Sequence, residues 1–123
     1  MNIHGVEAAR ILAKKGFSDD IVEAVQLHNE KAAKRPRTET LHYALAAGEQ
    51  ITGLITATAL VYPDKKLSSV KVKSITKRMK EKAFAASVNR DIILECEKIG
   101  IPLNEFAEIG LTAMKNISDD LGL

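Results

Sequence analysis

Residues 40–62 place the tightest limit on what this chain can fold into. Thr38 or Thr40 can cap a helix here, and Pro63 stops it, because a proline drives the residue before it out of the helical region. Its apolar face is unusually broad and rich in small side chains: Ala44, Ala46, Ala47, Gly48, Gly53, Ala57 and Ala59. A helix apolar over so much of its circumference needs neighbours on several sides, and small residues let those neighbours come close. The pattern predicts the central helix of an all-α domain. A kink at Gly48 or Gly53 is the alternative that glycine allows.

The flanking segments carry the same period of three to four residues, and none alternates as a strand would. A first helix is expected over 5–15, with His4, Ala8, Ile11 and Leu12 on one stripe and Gly16 as its stop. Ser18 caps a second, with Asp19 and Asp20 in its first turn and Ile21, Ala24, Val25 and His28 inward. Residues 30–38, containing Pro36, read as a loop. After the turn at Pro63, Ser68 or Ser69 caps a basic amphipathic helix with Val72, Ile75 and Met79 inward. A break at 83–88 follows. Asn89 then caps a helix that buries Ile92, Cys96 and Ile99 and ends at Gly100. A last helix over 103–121 buries Phe106, Ile109, Ala113, Ile117 and Leu121. The expected architecture is one domain over residues 1–123, all-α, with about six helices.

Composition narrows the class of protein. A hydrophobic fraction of 46% with 28% charged residues in 123 residues suits one ordinary hydrophobic core and excludes a disordered tail. The single cysteine excludes an internal disulfide framework and a multi-cysteine zinc knuckle, which suits a reducing compartment. No positive region leads into an apolar run at the start, and the stretch 51–62 is interrupted by Thr52, Gly53, Thr56 and Thr58. Neither a signal peptide nor a membrane span is therefore expected, and the cytoplasm is the default location.

Charge is distributed unevenly. Between 65 and 82 eight basic side chains face one acid, Glu81, a local net of +7 in a chain of formal charge +2, so everything else sums to −5. Such a segment is either a solvated helix face or a contact for an anionic partner. Lacking interleaved aromatics, it offers no stacking platform for single-stranded nucleic acid, and nucleic acid is not the expected partner.

Chemistry-bearing residues are few. His4 begins the first helix and His28 ends the second, and a short turn between two helices makes them antiparallel, so both imidazoles fall at one end of the hairpin. Two histidines facing one core are half of a metal site, or two hydrogen-bonded core residues. Glu49, four residues after Leu45 and eight after Leu41, is expected to turn inward beside Gly48 and Thr52, where a carboxylate needs a metal or a cation. His42 lies near the same stripe. Cys96 reads as a small core hydrophobe. No phosphate-binding glycine loop, HExxH motif or nucleophile elbow is present.

These residues lie in a longer resemblance. His4-Gly5-Val6-Glu7-Ala8-Ala9, the Gly16 stop, and residues 21–30 with His28-Asn29-Glu30 resemble the second half of His-Asp (HD) superfamily hydrolases, closest to a small subgroup of predicted HD-superfamily hydrolases. Ile51-Thr52-Gly53-Leu54-Ile55, Leu60-Val61, Val70-Lys71-Val72-Lys73-Ser74, Phe84-Ala85 and Val88-Asn89-Arg90 extend the similarity over nearly the whole chain. The resemblance implies an HD-like helical bundle bearing a metal-dependent phosphohydrolase site. His4 and His28 would be metal or phosphate contacts, Glu49 a metal ligand or general base, and Lys73, Lys77 and Arg90 contacts for substrate phosphate. The implied cofactor is a divalent ion (Mn, Mg, Zn, Ni or Fe), and the implied ligand a phosphorylated small molecule or nucleotide.

The departure is at the front. The family's first histidine and its His-Asp dipeptide belong upstream of His4, and none of the three histidines here precedes an aspartate: the dipeptides are His4-Gly5, His28-Asn29 and His42-Tyr43. The chain is then either a piece of a longer protein or a short form with an incomplete metal site. The competing expectation is a catalytically inert helical module for self-association or anion binding. Loss of the covering helices predicts a homodimer or higher oligomer that buries Ile11, Leu12, Ile21, Val25 and parts of 54–60.

Overall fold

A computed structural model describes residues 3–123, and every regular element among them is helical. The helices are α1 (Val6–Lys14), α2 (Asp19–Leu27), α3 (Glu30–Ala33), α4 (Thr40–Leu60), α5 (Val72–Met79), α6 (Arg90–Ile93), α7 (Leu103–Asn116) and α8 (Ser118–Leu121), with 3₁₀ turns at Leu67–Ser69 and Leu94–Ile99. The chain divides into two compact units, Met1–Ala46 and Ala47–Leu123. No helix among the described residues is long and apolar enough to cross a membrane.

The first unit is built on the α1–α2 hairpin. Gly16, at φ +84°, makes the sharp exit from α1 that only glycine adopts without strain. The start of α2 is tied down by Asp20, whose carboxylate accepts from the Ser18 hydroxyl and, next, from the Ile21 amide, and is held below its ordinary range by both. The buried apolar residues here are small or few: Ala9, Ala24, Leu27 and Ala46. The inward stripes therefore differ from expectation. Ala9 replaces Ala8 on α1, and Leu27 joins Ala24 on α2, while Ile11 and Ile21 are exposed. Residues 30–33, expected to be loop, form α3, because the Asn29 side chain accepts from the Ala32 amide and caps that turn.

The second unit holds the main core. From α4 come Ala47, Ile51, Leu54, Ile55 and Ala59; Leu67, Val70, Ile75, Met79, Ile93 and Cys96 follow, and α7 supplies Phe106, Ala107, Leu111 and Met114. The spacing 106, 107, 111, 114 is the helical stripe of α7, and Gly110 on the same stripe brings α7 against α4. Ile109 falls on the other side and is 50% exposed, correcting its expected burial. Ala113, one turn on from Ile109, shares that outward side and is exposed, and Ile117 and Leu121 are exposed where the helix breaks at Ile117 (φ −119°, ψ 23°) before α8 begins.

α4 forms largely as expected and runs through Gly48 and Gly53 as one helical element, ending at Leu60 rather than at Tyr62. Ser68 and Ser69 lie in a 3₁₀ turn, and α5 starts after Lys71. Asn89 caps α6 as expected, its side chain accepting from the Ile92 amide at 3.2 Å. Gly100 ends the following turn at φ +78°. The helix expected after Asn89 tightens to 3₁₀ from Leu94, and this brings Ile93 rather than Ile92 into the core beside Cys96.

Candidate functional site

The hairpin brings His4 and His28 together. Their Nε2 atoms are 2.8 Å apart, and the rings meet edge to face with centroids 4.7 Å apart. His28 follows the last residue of α2, and its Nδ1 bonds to the Val25 carbonyl. A carbonyl only accepts, so Nδ1 carries the proton, and in the neutral ring Nε2 presents a lone pair to His4. His4 then donates from Nε2. A carbonyl bond behind the ring is the arrangement that commonly orients a metal-binding histidine.

Three neighbours fix this pair, and none of them is legible as a site residue from type alone. Gly5 sits at φ +88°, and a Cβ on it would lie 3.0 Å from His28 Cε1 and 3.2 Å from its Nδ1. The imidazole thus rests on bare backbone. Asn29 donates from Nδ2 to the His4 carbonyl at 2.9 Å while its Oδ1 caps α3. Arg37, only 6% exposed, donates to the Leu27 and His28 carbonyls at 2.9 and 3.4 Å, and its backbone amide and guanidinium both meet the Glu30 carboxylate. The end of α2 is held from both sides.

The remaining candidate ligands are placed elsewhere. Glu49 is exposed on the part of α4 that belongs to the second unit, where its carboxylate accepts from the Gln50 side chain at 2.7 Å. This corrects the inward orientation expected of it. Leu41, Leu45 and Glu49 do share a stripe, but it is the outward one; the inward stripe contains Ala47, Ile51, Leu54, Ile55 and Thr58. His42 is buried at 2% exposure, and its Nδ1 accepts from the Thr38 and Glu39 amides at 3.2 and 3.1 Å, so it closes the start of its own helix. Its Nε2 faces the Glu23 carboxylate at 3.8 Å. Among the described residues no three His, Cys, Asp or Glu side chains gather closely enough to hold a metal.

The three basic residues implied as phosphate contacts divide into two roles. Lys73 and Lys77 stand exposed on α5. Arg90 points inward: Nη1 donates to the Ala85 and Val88 carbonyls at 2.9 and 3.1 Å, and Nη2 to those of Arg78, Glu81 and Phe84. Its Nε is buried without a partner among the described residues. A guanidinium committed to five backbone carbonyls organises the turns of 81–88 and has little left for an outside phosphate, contrary to the role the resemblance implied for it. Cys96 is buried, and desolvation, helped by the neighbouring Glu97 charge, pushes its thiol up, so it stays protonated and unreactive near neutral pH.

No protein-family model, curated protein or solved structure matches this chain. The residues themselves must carry the functional reading.

Proposed function

We propose that the chain is an HD-type helical domain that binds one divalent transition metal through His4 and His28, with an incomplete ligand set for phosphoester hydrolysis. The observation that carries this reading is the 2.8 Å approach of the two Nε2 atoms, with His28 oriented from behind by the Val25 carbonyl. Both nitrogens lie within the span that two metal–nitrogen bonds of about 2.0–2.1 Å can cover. Two imidazoles fit as a chelate that leaves other positions open, but they do not make a closed site. When bound, such an ion supplies Lewis-acid polarisation of a phosphoryl oxygen. This chain's own part is to present the Nε2 lone pair of His28 and, once the His4 proton moves from Nε2 to Nδ1 and the bond between the rings opens, that of His4, with Gly5, Asn29 and Arg37 keeping the two rings in place. Among the described residues no third His, Cys, Asp or Glu side chain joins them closely enough to complete a metal site.

Calorimetric titration with Zn²⁺, Ni²⁺ and Mn²⁺ tests this. We expect one ion per chain, lost in His4→Ala and in His28→Ala and weakened by acid, since protons compete for the same nitrogens. Binding that survives both substitutions, or none in the unaltered chain, overturns the reading. Hydrolysis of bis-nitrophenyl phosphate with added Mn²⁺ is expected to be no faster than with His28→Ala.

A second reading, self-association, is favoured by the exposure of Ile11, Phe17 and Ile21 on the hairpin. Of the stretch 54–60 expected to join that interface, Leu54, Ile55 and Ala59 are already fully buried within their own unit, whereas Leu60 is exposed. Sedimentation as a dimer that Ile21→Lys returns to monomer is the outcome this reading requires.

A further inference from the structure

The second unit contains a cleft unrelated to the histidine pair. It has a volume of about 220 Å³ and lies between the end of α4 and α5. Tyr62 and Ser74 supply its polar lining, Lys77 and Arg78 its charge, and the exposed Val61 and Pro63 an apolar rim. Among the described residues all the charged lining is positive, with no acidic side chain.

The hydrogen-bonding capacity of these groups is only partly used. The Tyr62 and Ser74 hydroxyls are 2.7 Å apart and carry two protons between them. Their mutual bond uses one, so one O–H is left to donate into the cleft. The Arg78 guanidinium commits one nitrogen to Glu81 at 2.7 Å and lies over the Phe84 ring at 4.2 Å. These contacts hold its position while leaving further N–H groups available. Lys77 has no acidic partner among the described residues. The cleft thus offers an oriented guanidinium, a free ammonium and one hydroxyl donor beside an apolar rim.

We propose that this cleft binds the phosphoryl group of a small organic phosphate monoester, with Lys77, Arg78 and the Tyr62–Ser74 hydroxyl pair on the phosphate and Val61 and Pro63 against its carbon skeleton. A dianionic phosphate accepts from several donors at once, and charge-assisted bonds of this kind are the strong ones. The apolar rim distinguishes a monoester from free phosphate. The volume suits one small molecule rather than a polymer, for which the exposed lysines of α5 outside the cleft would serve as well as those lining it. The proposal is independent of the metal reading and is tested without metal.

The experiment is an amide-shift titration of the full-length labelled chain, in EDTA, with phenyl phosphate as probe and inorganic phosphate and phenol as comparisons. Saturable shifts confined to residues 58–63 and 74–78 are expected, with phenyl phosphate binding more tightly than either comparison. Lys77→Met should weaken it about tenfold, and Tyr62→Phe by a smaller factor, as removal of charge-assisted and neutral contacts predicts. Lys73→Met, outside the cleft, should leave it unchanged. Non-saturating shifts spread over every lysine of 65–82 would overturn the proposal, as would equal effects of Lys73→Met and Lys77→Met. So would displacement of phenyl phosphate by duplex DNA with the steep salt dependence of phosphate-backbone contacts, which would reassign the surface to a polyanion.

Discussion

Gly5 shows how much one residue can hold in place here. Its φ of +88° lies where side chains are strained, and the space a Cβ would fill is taken by the His28 ring. Gly5→Ala must therefore strain the backbone and force the His28 imidazole to shift by a few tenths of an ångström. We expect a loss of about 1–3 kcal/mol of stability by urea denaturation, together with loss of any metal binding by the pair. The second readout separates this from a general packing defect, since Gly16→Ala has open space for its Cβ and suffers only the backbone strain. A Gly5→Ala variant with unchanged metal affinity would show that the ring does not depend on the bare backbone beneath it.

At the level of elements, the helices were legible in the sequence and their faces less so. α4 and α5 follow from periodicity and the start of α6 from the cap at Asn89, both of which are local, although α5 begins at Val72 without the cap expected from Ser68 or Ser69. Burial is a tertiary property, and it shifted by a residue or two wherever several apolar positions competed. Leu41 and Leu45 made an apparent inward stripe that carried Glu49 with it, although the alanine-rich side of the same helix is the one that packs. On α7, Ile109 looked buried by type, but Gly110 and Leu111 take the contact face. The pairing of His4 and His28 was legible because hairpin geometry alone puts the two ends together. The inward turn of Arg90 was not, because its partners are backbone carbonyls that leave no mark on side-chain composition. Two glycines test the helix faces directly. Gly48→Ala meets nothing within 4 Å and should gain up to about 1 kcal/mol from helix propensity. At Gly110 a Cβ would lie 3.1 Å from the buried Ile55 Cδ1, and overpacking of that kind costs about 1–3 kcal/mol. Thermal unfolding should therefore rank Gly48→Ala above the parent chain and Gly110→Ala at or below it.

Across the whole molecule the two units differ in what holds them. Among the described residues the second has fifteen buried in one continuous cluster, including Phe106 and four isoleucines. The first buries Ala9, Ala24, Leu27 and Ala46, and relies on polar ties around Arg37, Glu30, Glu23 and His42. Burial of large apolar side chains sets most of the free energy of local opening. Amide hydrogen exchange should accordingly be slower in α7 than in α1 and α2, by a factor of at least about ten, which corresponds to ~1.4 kcal/mol. Equal protection in the two units would mean that the polar ties of the first contribute as much as the core of the second.

Arg90 has a consequence for how freely one part of this chain can change. The turns of 81–88 contain no α-helix, yet their carbonyls and that of Arg78 are gathered onto a single guanidinium. What is recognised is main chain, which every amino acid shares. Lys82, Ala83, Ala86 and Ser87 can then drift among residue types that tolerate these turns without altering the path, whereas position 90 has no substitute with the same fan of donors. The shape of the loop is encoded outside the loop, and its surface is left open to variation while its geometry is inherited intact.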